Sequence, residues 1–171
     1  MIIYYYGNGK GKTTAALGTM LRAAGHGWHC LLIQAIKGDW PTGEAKLLRG
    51  GRIPGVSIIS AGLGFVGIMG DKRKRTKHRA AGRKALDTAR EAINSRRWQL
   101  IVLDEFADLP ELGEGLYDEL VAVLQSGKTH IIITGHRFRR RIAQRADTVT
   151  RMEKKKHPFD CGIMAEKGID Y

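Results

Sequence analysis

The chain of 171 residues has the length of one α/β domain, and its apolar fraction of 43% is enough for a buried core. Its apolar runs are too short to cross a bilayer and no signal peptide is recognisable, so we expect a soluble, cytoplasmic protein. Cys30 and Cys161 exclude a disulfide scaffold and lack the spacing of a zinc site. The net charge of +12 predicts affinity for a polyanion, which leaves nucleotides, nucleic acid and an acidic protein partner open.

Strand patterns and helix patterns alternate along the chain. In chain order, the sequence predicts a strand at 2–6, a helix at 12–24, strands at 30–36 and 56–60, a helix at 77–94, a strand at 100–103, a helix at 117–125, a strand at 130–134, a short helix at 137–144 and a strand at 148–152. This alternation indicates an α/β fold with a mainly parallel sheet and helices on both faces, as in the P-loop NTPase-like (RecA-type) architecture. We expect residues 1–171 to form one domain, with an irregular tail over the surface at 157–171.

A glycine-rich loop joins the first predicted strand to the first predicted helix. Its residues are Gly7, Asn8, Gly9, Lys10, Gly11, Lys12, Thr13 and Thr14. Glycines let consecutive backbone N–H groups turn toward a phosphate, and the following helix adds its positive amino end. Lys12 would supply a charge to the phosphate oxygens, and the Thr13 hydroxyl is placed for Mg²⁺. The alternative is a glycine turn that only starts a helix, and the strand–loop–helix context argues against it.

The loop is one residue shorter than the usual phosphate loop. The usual spacing, GxxxxGKS/T, requires a glycine at position 6, where this chain has Tyr6. A shorter loop cannot wrap the same phosphate in the same way. We therefore hypothesise that the triphosphate is held in a different register from that of a phosphoryl-transfer enzyme.

Two further predicted strands end in polar residues at the same edge of the sheet. The strand at 100–103 leads into Asp104 and Glu105 and resembles a Walker B strand, so one of these carboxylates is expected to bind Mg²⁺ directly or through water. The strand at 130–134 leads to His136 and Arg137, either of which could reach phosphate. A simple strand–turn–helix connection explains the second strand equally well.

Several segments together resemble the P-loop ATP:corrinoid adenosyltransferases. They are GNGKGKTTAA, AAGHGW, LIQAIKGDWPTGE, VLDE, IITG and the ending KHPFDCGIMAEKGIDY, which together span most of residues 3–171. The resemblance implies that the Co(I) centre of a corrinoid attacks C5′ of ATP and expels the triphosphate, in adenosylcobalamin synthesis or salvage. It also implies Mg²⁺ or Mn²⁺ as cofactor, a flavoprotein reductant and a homodimer.

The same resemblance implies roles for individual residues. The glycine-rich loop, residues 7–14, matches the family's ATP loop, with Lys12 and Glu105 as the expected catalytic positions. Thr13 and Glu105 match its magnesium positions, and Asp104 is the neighbouring candidate. Lys37 and Trp40 match a stretch at the mouth of the site, although Trp40 could equally be a rim aromatic that packs on Pro41. Phe65 matches the aromatic that displaces the lower ligand of the cobalt.

The chain departs from the family pattern in four places. Gly67 stands where a tryptophan is expected, and His136 follows IITG where the family has arginine. Residues 71–79 are more basic than expected, and the sequence starts at the first strand, where many members have an amino-terminal extension. The nucleotide half is therefore expected to be close to the family and the corrinoid half to have diverged.

Two other functions stay open. A nucleic-acid-stimulated P-loop ATPase would explain the basic runs at 72–79 and 137–141, although no aromatic stacking residues are interleaved with them. A non-catalytic relative that binds nucleotide and corrinoid without transfer would explain Gly67 and His136. Neither alternative nor the leading function requires a membrane.

Overall fold

The computed structural model describes residues 1–35, 42–62, 75–112, 115–124 and 128–171, with only the backbone of Arg75, Pro110 and Leu112. Within these ranges the strands are β1 (Ile2–Tyr6), β2 (Cys30–Gln34), β3 (Val56–Ser60), β4 (Leu100–Asp104), β5 (His130–Gly135) and β6 (Thr148–Arg151). The α-helices are α1 (Lys12–Gly25), α2 (Gly43–Arg49), α3 (Arg75–Asn94), α4 (Leu116–Val123) and α5 (Arg140–Ala143). Two 3₁₀ helices follow β4 and β6, at Phe106–Leu112 and Pro158–Cys161.

All six strands lie in one parallel sheet. Its order is β3-β2-β4-β5-β1-β6, so β5 separates the strand of the glycine-rich loop from the strand that ends in acidic residues. Parallel neighbours need crossover connections, which the intervening helices supply. The predicted α/β class with a parallel sheet of P-loop NTPase-like arrangement is confirmed.

The sequence patterns did not predict α2 or the first 3₁₀ helix, and the helix predicted at 137–144 is longer than α5. The amino end of α2 has a local signal, because the Thr42 hydroxyl caps it by accepting a hydrogen bond from Ala45 N at 3.3 Å. The prediction of a helix at 137–144 was wrong in its first turn. Arg139 is extended there, and its side chain donates to Ala107 O at 3.0 Å, which ties this segment to the 3₁₀ helix.

The two faces of the sheet have separate cores. Successive side chains of a strand point to opposite faces. In β2, Leu31 and Ile33 pack in the cluster with α3 and α4, whereas Cys30 and Leu32 pack in the cluster with α1 and α2. Since β2 and β4 are buried along their whole length, the sheet interior leaves no room for polar chemistry except at the strand ends.

The carboxyl ends of the central strands are brought into line by the register. Gln34 pairs with Asp104, and Tyr6 pairs with Gly135 on one side and with Arg151 on the other. Ligands of open parallel sheets bind outside such an edge. In the described part of the chain, no helix has both the length and the apolar character needed to cross a membrane.

Candidate active site

The phosphate loop, residues 7–14, packs tightly against the residue that follows β6. A Cβ added to Gly7 would lie 2.3 Å from Met152 O, and one added to Gly9 would lie 2.8 Å from the same oxygen. Gly7 also has a φ of 116°, a left-handed conformation that favours glycine. The backbone of β6 therefore approaches so closely that only glycine fits at these two positions.

Two backbone donors of the phosphate loop are used inside the protein. Gly7 N–H lies against the carbonyls of Gly135 and His136, at 3.2 and 3.1 Å, and Gly9 N–H donates to Met152 O at 2.8 Å. These donors anchor the loop between β5 and β6, so they do not point at an anion as the sequence analysis expected. The first turn of α1 is the remaining candidate to hold an anion, because its N-cap Gly11 supplies no side-chain cap.

Lys12 lies across the phosphate loop. Its Nζ donates to Gly7 O at 2.8 Å and to Gly9 O at 2.9 Å, which fixes the ammonium group beside the amino end of α1. The same side chain lines the pocket in front of the loop. A phosphate in that pocket would meet the lysine charge and the helix amino end together.

A hydrogen-bond chain connects α1, β4 and β5 behind the pocket. Thr13 Oγ1 and Thr134 Oγ1 both donate to Asp104 Oδ1, each at 2.8 Å, and Glu105 N–H donates to Thr134 Oγ1 at 2.8 Å. Asp104 is fully buried and Thr134 is 1% exposed. Asp104 therefore orients the Thr13 hydroxyl, and Thr134 fixes the backbone that presents Glu105.

Of the two acidic residues at the end of β4, Glu105 is the one that lines the pocket. It follows β4 with a φ of 64°, which is uncommon for a residue with a side chain and costs roughly 1–3 kcal/mol. Its side chain is nevertheless largely buried, with 7% exposure. Surrounding contacts must impose this strained backbone conformation, which places the Glu105 carboxylate at the pocket. The neighbouring Asp104 carboxylate instead accepts a hydrogen bond from Thr13.

The oxygen ligands at the carboxyl ends of the strands fit a magnesium ion that would also bind phosphate. In the described ranges no group of three or more His, Cys, Asp or Glu side chains is arranged to hold a metal. Mg²⁺ commonly binds through one or two protein ligands together with water and phosphate oxygens. The Thr13 hydroxyl donates its proton to Asp104, so it would bind a cation through an oxygen lone pair, and Glu105 lies on the same pocket.

His136 enters the pocket from the end of β5. Asp108, in the first 3₁₀ helix, accepts from His136 N–H at 2.9 Å and is hydrogen-bonded to the ring Nδ1 at 2.8 Å. The hydrogen bond to Asp108 raises the pKa of His136 above the usual histidine value, against an opposing effect of burial. The imidazole is thus held next to the phosphate loop with a bias toward its charged form.

The pocket has a volume of about 330 Å³ and is closed on one side by the carboxyl-terminal residues. Lys10 forms an ion pair with Asp170, whose second oxygen accepts from Glu166 N–H at 2.7 Å. The hydrogen bond from Lys10 lowers the pKa of Asp170. The lining residues come from the phosphate loop and α1 (Lys10, Gly11, Lys12, Thr13, Thr14, Leu17), from α2 (Gly43, Glu44), from the ends of β4 and β5 (Glu105, Thr134, His136) and from the tail (Gly168, Ile169, Asp170, Tyr171).

Seven of the residues named as candidates from the sequence line this one pocket: Lys10, Gly11, Lys12, Thr13, Thr14, Glu105 and His136. Four further candidate positions lie outside the described residues, namely Lys37, Trp40, Phe65 and Gly67. Sequence reasoning did not identify Thr134, Asp108, Glu44 or the last four residues as part of the site. Thr134 could have been found from its place at the end of a strand beside Asp104, whereas Asp108 and the tail residues have no such local signal.

Comparison with known proteins gives one consistent result along the whole chain. The family model described as ATP:corrinoid adenosyltransferase BtuR/CobO/CobP matches residues 1–171. The corrinoid adenosyltransferase of Escherichia coli strain K12 is 38% identical over an alignment that covers 100% of this chain and 85% of the relative. Corrinoid adenosyltransferase CobA of Salmonella typhimurium strain LT2 is 36% identical with the same coverage, and a corrinoid adenosyltransferase of Sinorhizobium sp is 32% identical, covering 100% of this chain and 80% of the relative.

Proposed function

The chain belongs to the ATP:corrinoid adenosyltransferase family, and we propose how its own residues carry out the transfer of the adenosyl group from ATP to a corrinoid. In the proposed reaction, the Co(I) centre of the substrate donates an electron pair to C5′ of ATP. The cobalt electron pair becomes the Co–C bond as the bond from C5′ to oxygen breaks, and triphosphate leaves with the electron pair of that broken C–O bond. The product serves adenosylcobalamin synthesis or salvage.

The observation that carries this proposal is the convergence of Lys12, the amino end of α1 and Glu105 on one pocket. Negative charge grows on the departing oxygen, and preorganised donors and charges stabilise it. No general base is needed, because the nucleophile belongs to the substrate. The protein's task is to position ATP, to exclude water and to neutralise the triphosphate.

We assign the ATP-binding role to residues 7–14, with the anion contacts at Lys12 and the first turn of α1. The anchoring of Gly7 and Gly9 to β5 and β6 supports a register for the triphosphate that differs from that of a phosphoryl-transfer enzyme. On the resemblance alone, Lys37 and Trp40 are proposed for the mouth of the site and Phe65 for the corrinoid side.

Mg²⁺ or Mn²⁺ is proposed as the cofactor, held by the Thr13 hydroxyl and the Glu105 carboxylate together with triphosphate oxygens. When bound, the ion neutralises charge on the leaving group. Asp104 acts through Thr13, whose hydroxyl it orients by the hydrogen bond of 2.8 Å.

The proposed reductant follows from the chemistry of the substrate, the homodimer from the resemblance to the family, and the location from the sequence. A Co(II) corrinoid must gain one electron before it can attack C5′, so a flavoprotein reductant is the expected donor. We also propose a homodimer in the cytoplasm.

The phosphate product tests this function. We would incubate the protein anaerobically with MgATP and a chemically reduced corrinoid and separate the phosphate products. Triphosphate in equal amount to the alkylated corrinoid is the expected result. Inorganic phosphate whose release rises with added nucleic acid would instead support the ATPase alternative, and intact ATP would support a non-catalytic relative.

A further inference from the structure

His136 is held in place by hydrogen bonds of both its backbone and its ring. Its backbone carbonyl accepts from Gly7 N–H at 3.1 Å, so it is attached to the first residue of the phosphate loop. Its backbone N–H and ring Nδ1 are both bonded to Asp108. The imidazole is therefore fixed relative to the phosphate loop through the His136 backbone and relative to Asp108 through the ring.

Close packing between Gly135 and Ala107 fixes the position of Asp108. A Cβ added to Gly135 would lie 2.5 Å from Ala107 Cβ, so the end of β5 and the first 3₁₀ helix are in contact at a distance only glycine permits. Ala107 precedes Asp108, which is 8% exposed. The carboxylate thus has a fixed position relative to the imidazole, whereas the imidazole itself remains 60% exposed on the pocket side.

This arrangement determines which ring nitrogen is available to a ligand. Because Nδ1 is bonded to Asp108, Nε2 is the nitrogen left for the pocket. The charged groups around the ring are Asp108 and Glu105, which favour its protonated form, and Lys12, which opposes it. Lys10, Glu44 and Asp170 complete the charged lining of the pocket.

We propose that Asp108 orients His136 so that its Nε2–H donates to the triphosphate, beside Lys12 and the amino end of α1. This proposal rests on the proposed function and adds to it a ligand of the leaving group. As the bond between C5′ and oxygen breaks, the imidazolium stabilises the charge that the triphosphate gains. Asp108 is then a positioning residue, since it acts only through His136.

The test uses inorganic triphosphate as the probe, in the presence of Mg²⁺ and without corrinoid. Calorimetry at several pH values would compare the wild type with His136→Gln, His136→Arg and Asp108→Asn. His26→Gln is the matched control, because His26 is exposed and lines a different cleft, at the opposite edge of the sheet. The exposure of His136 means that its replacement does not threaten the fold.

Below the raised pKa of His136, the wild type is expected to bind triphosphate about tenfold more tightly than His136→Gln. This ratio falls toward one as pH rises through that pKa, because the imidazole becomes neutral. His136→Arg keeps the tight binding at every pH tested, and Asp108→Asn moves the decline of the ratio to lower pH. His26→Gln binds like the wild type.

Equal triphosphate affinity of the wild type and His136→Gln at all pH values would overturn the proposal. So would a loss in His136→Arg as large as that in His136→Gln, since the charge would then not matter. Both outcomes are independent of adenosyl transfer. Failure of the proposed function would appear separately, as the absence of an alkylated corrinoid.

Discussion

The neutral side chain of Thr134 contacts both acidic residues at the end of β4, one through its carboxylate and the other through its backbone. Its hydroxyl donates to Asp104 and accepts from the backbone N–H of Glu105. It lies near the end of β5, between β1, which leads into the phosphate loop, and β4, which Glu105 follows. Because the hydroxyl has one proton and two lone pairs, it can serve both neighbours at once. The position of Glu105 in the pocket depends on that double contact.

We predict that Thr134→Val lowers the free energy of unfolding by about 1–3 kcal/mol. Valine has the same shape, but it leaves the buried Asp104 carboxylate and the Glu105 N–H each with one hydrogen bond fewer. Denaturant unfolding measures the change. Thr150→Val on the exposed strand β6 is the control, expected within about 0.5 kcal/mol of the wild type. Equal stability of the two variants would contradict the role given to Thr134.

Lys12→Ala should reduce the rate of adenosyl transfer from ATP by a factor of about 10²–10³. The lysine charge is the donor that the structure holds over the phosphate loop, and removal of one preorganised donor has this size of effect in other enzymes. Rates from a chemically reduced corrinoid measure it, with kcat and KM determined separately. Lys46→Ala, on the exposed face of α2, should react like the wild type. A Lys12→Ala enzyme with an unchanged kcat would rule out this role.

The carboxyl-terminal tail, residues 157–171, is largely exposed to solvent but is attached to the site by an ion pair. Every residue after His157 is exposed, yet Asp170 pairs with Lys10 of the phosphate loop. Just before the tail, Lys154 N–H donates to Asn8 Oδ1 at 3.1 Å. The tail is therefore held by the phosphate loop rather than by a core of its own.

Asp170→Asn should increase amide hydrogen exchange several-fold at residues 166–171, because the charge that attracts Lys10 is lost. Asp160→Asn is the matched control, since Asp160 is a tail carboxylate that pairs with Lys154 and does not line the pocket. The lowered pKa of Asp170 means that the carboxylate stays charged at neutral pH. The contact should be lost only as pH falls through that lowered pKa, below the ordinary value of 3.8. Equal exchange in both variants would show that the Lys10 contact does not hold the tail.

The elements that the sequence predicted are those with a strong local pattern. The β2 and β4 strands are continuous apolar runs, and α1 and α3 have apolar residues at helical spacing, so their existence follows from periodicity. The first 3₁₀ helix and the extended start of the 137–144 segment depend instead on tertiary contacts, such as that of Arg139 with Ala107 O. The phosphate loop and the acidic end of β4 were likewise identified from local sequence patterns. Asp108 has no such pattern, because only the tertiary structure brings it next to His136.

At the scale of the whole molecule, the two cysteines lie in contrasting environments. Cys30 is buried in β2 and Cys161 is exposed in the tail. Burial raises the pKa of the Cys30 thiol to about 11, so it is protonated at neutral pH. Reaction at Cys30 therefore requires the sheet to open.

We predict that a thiol reagent labels Cys161 rapidly and Cys30 only at the rate of unfolding. In a Cys161→Ala variant, the slow labelling of Cys30 should become faster with denaturant in parallel with the unfolding rate. The Cys30→Ala variant, with Cys161 retained, supplies the rate for an exposed thiol. Rapid labelling of Cys30 in the native protein would contradict the burial of β2.

The net charge of +12 suits a protein that must hold a polyanionic leaving group, and the same charge made nucleic acid an open possibility in the sequence. The described pocket collects Lys12, His136 and Glu105 around a volume of about 330 Å³. Family membership along all 171 residues agrees with a small anionic substrate.

The most direct test of the account is an anaerobic mixture of the protein, MgATP and cob(I)alamin, followed by its visible spectrum. We predict a light-sensitive Co–C product that forms only with active protein, together with one triphosphate per corrinoid alkylated. A corrinoid that stays unalkylated while MgATP remains bound and intact would contradict the central claim that the pocket at the end of β1, β4 and β5 carries out adenosyl transfer.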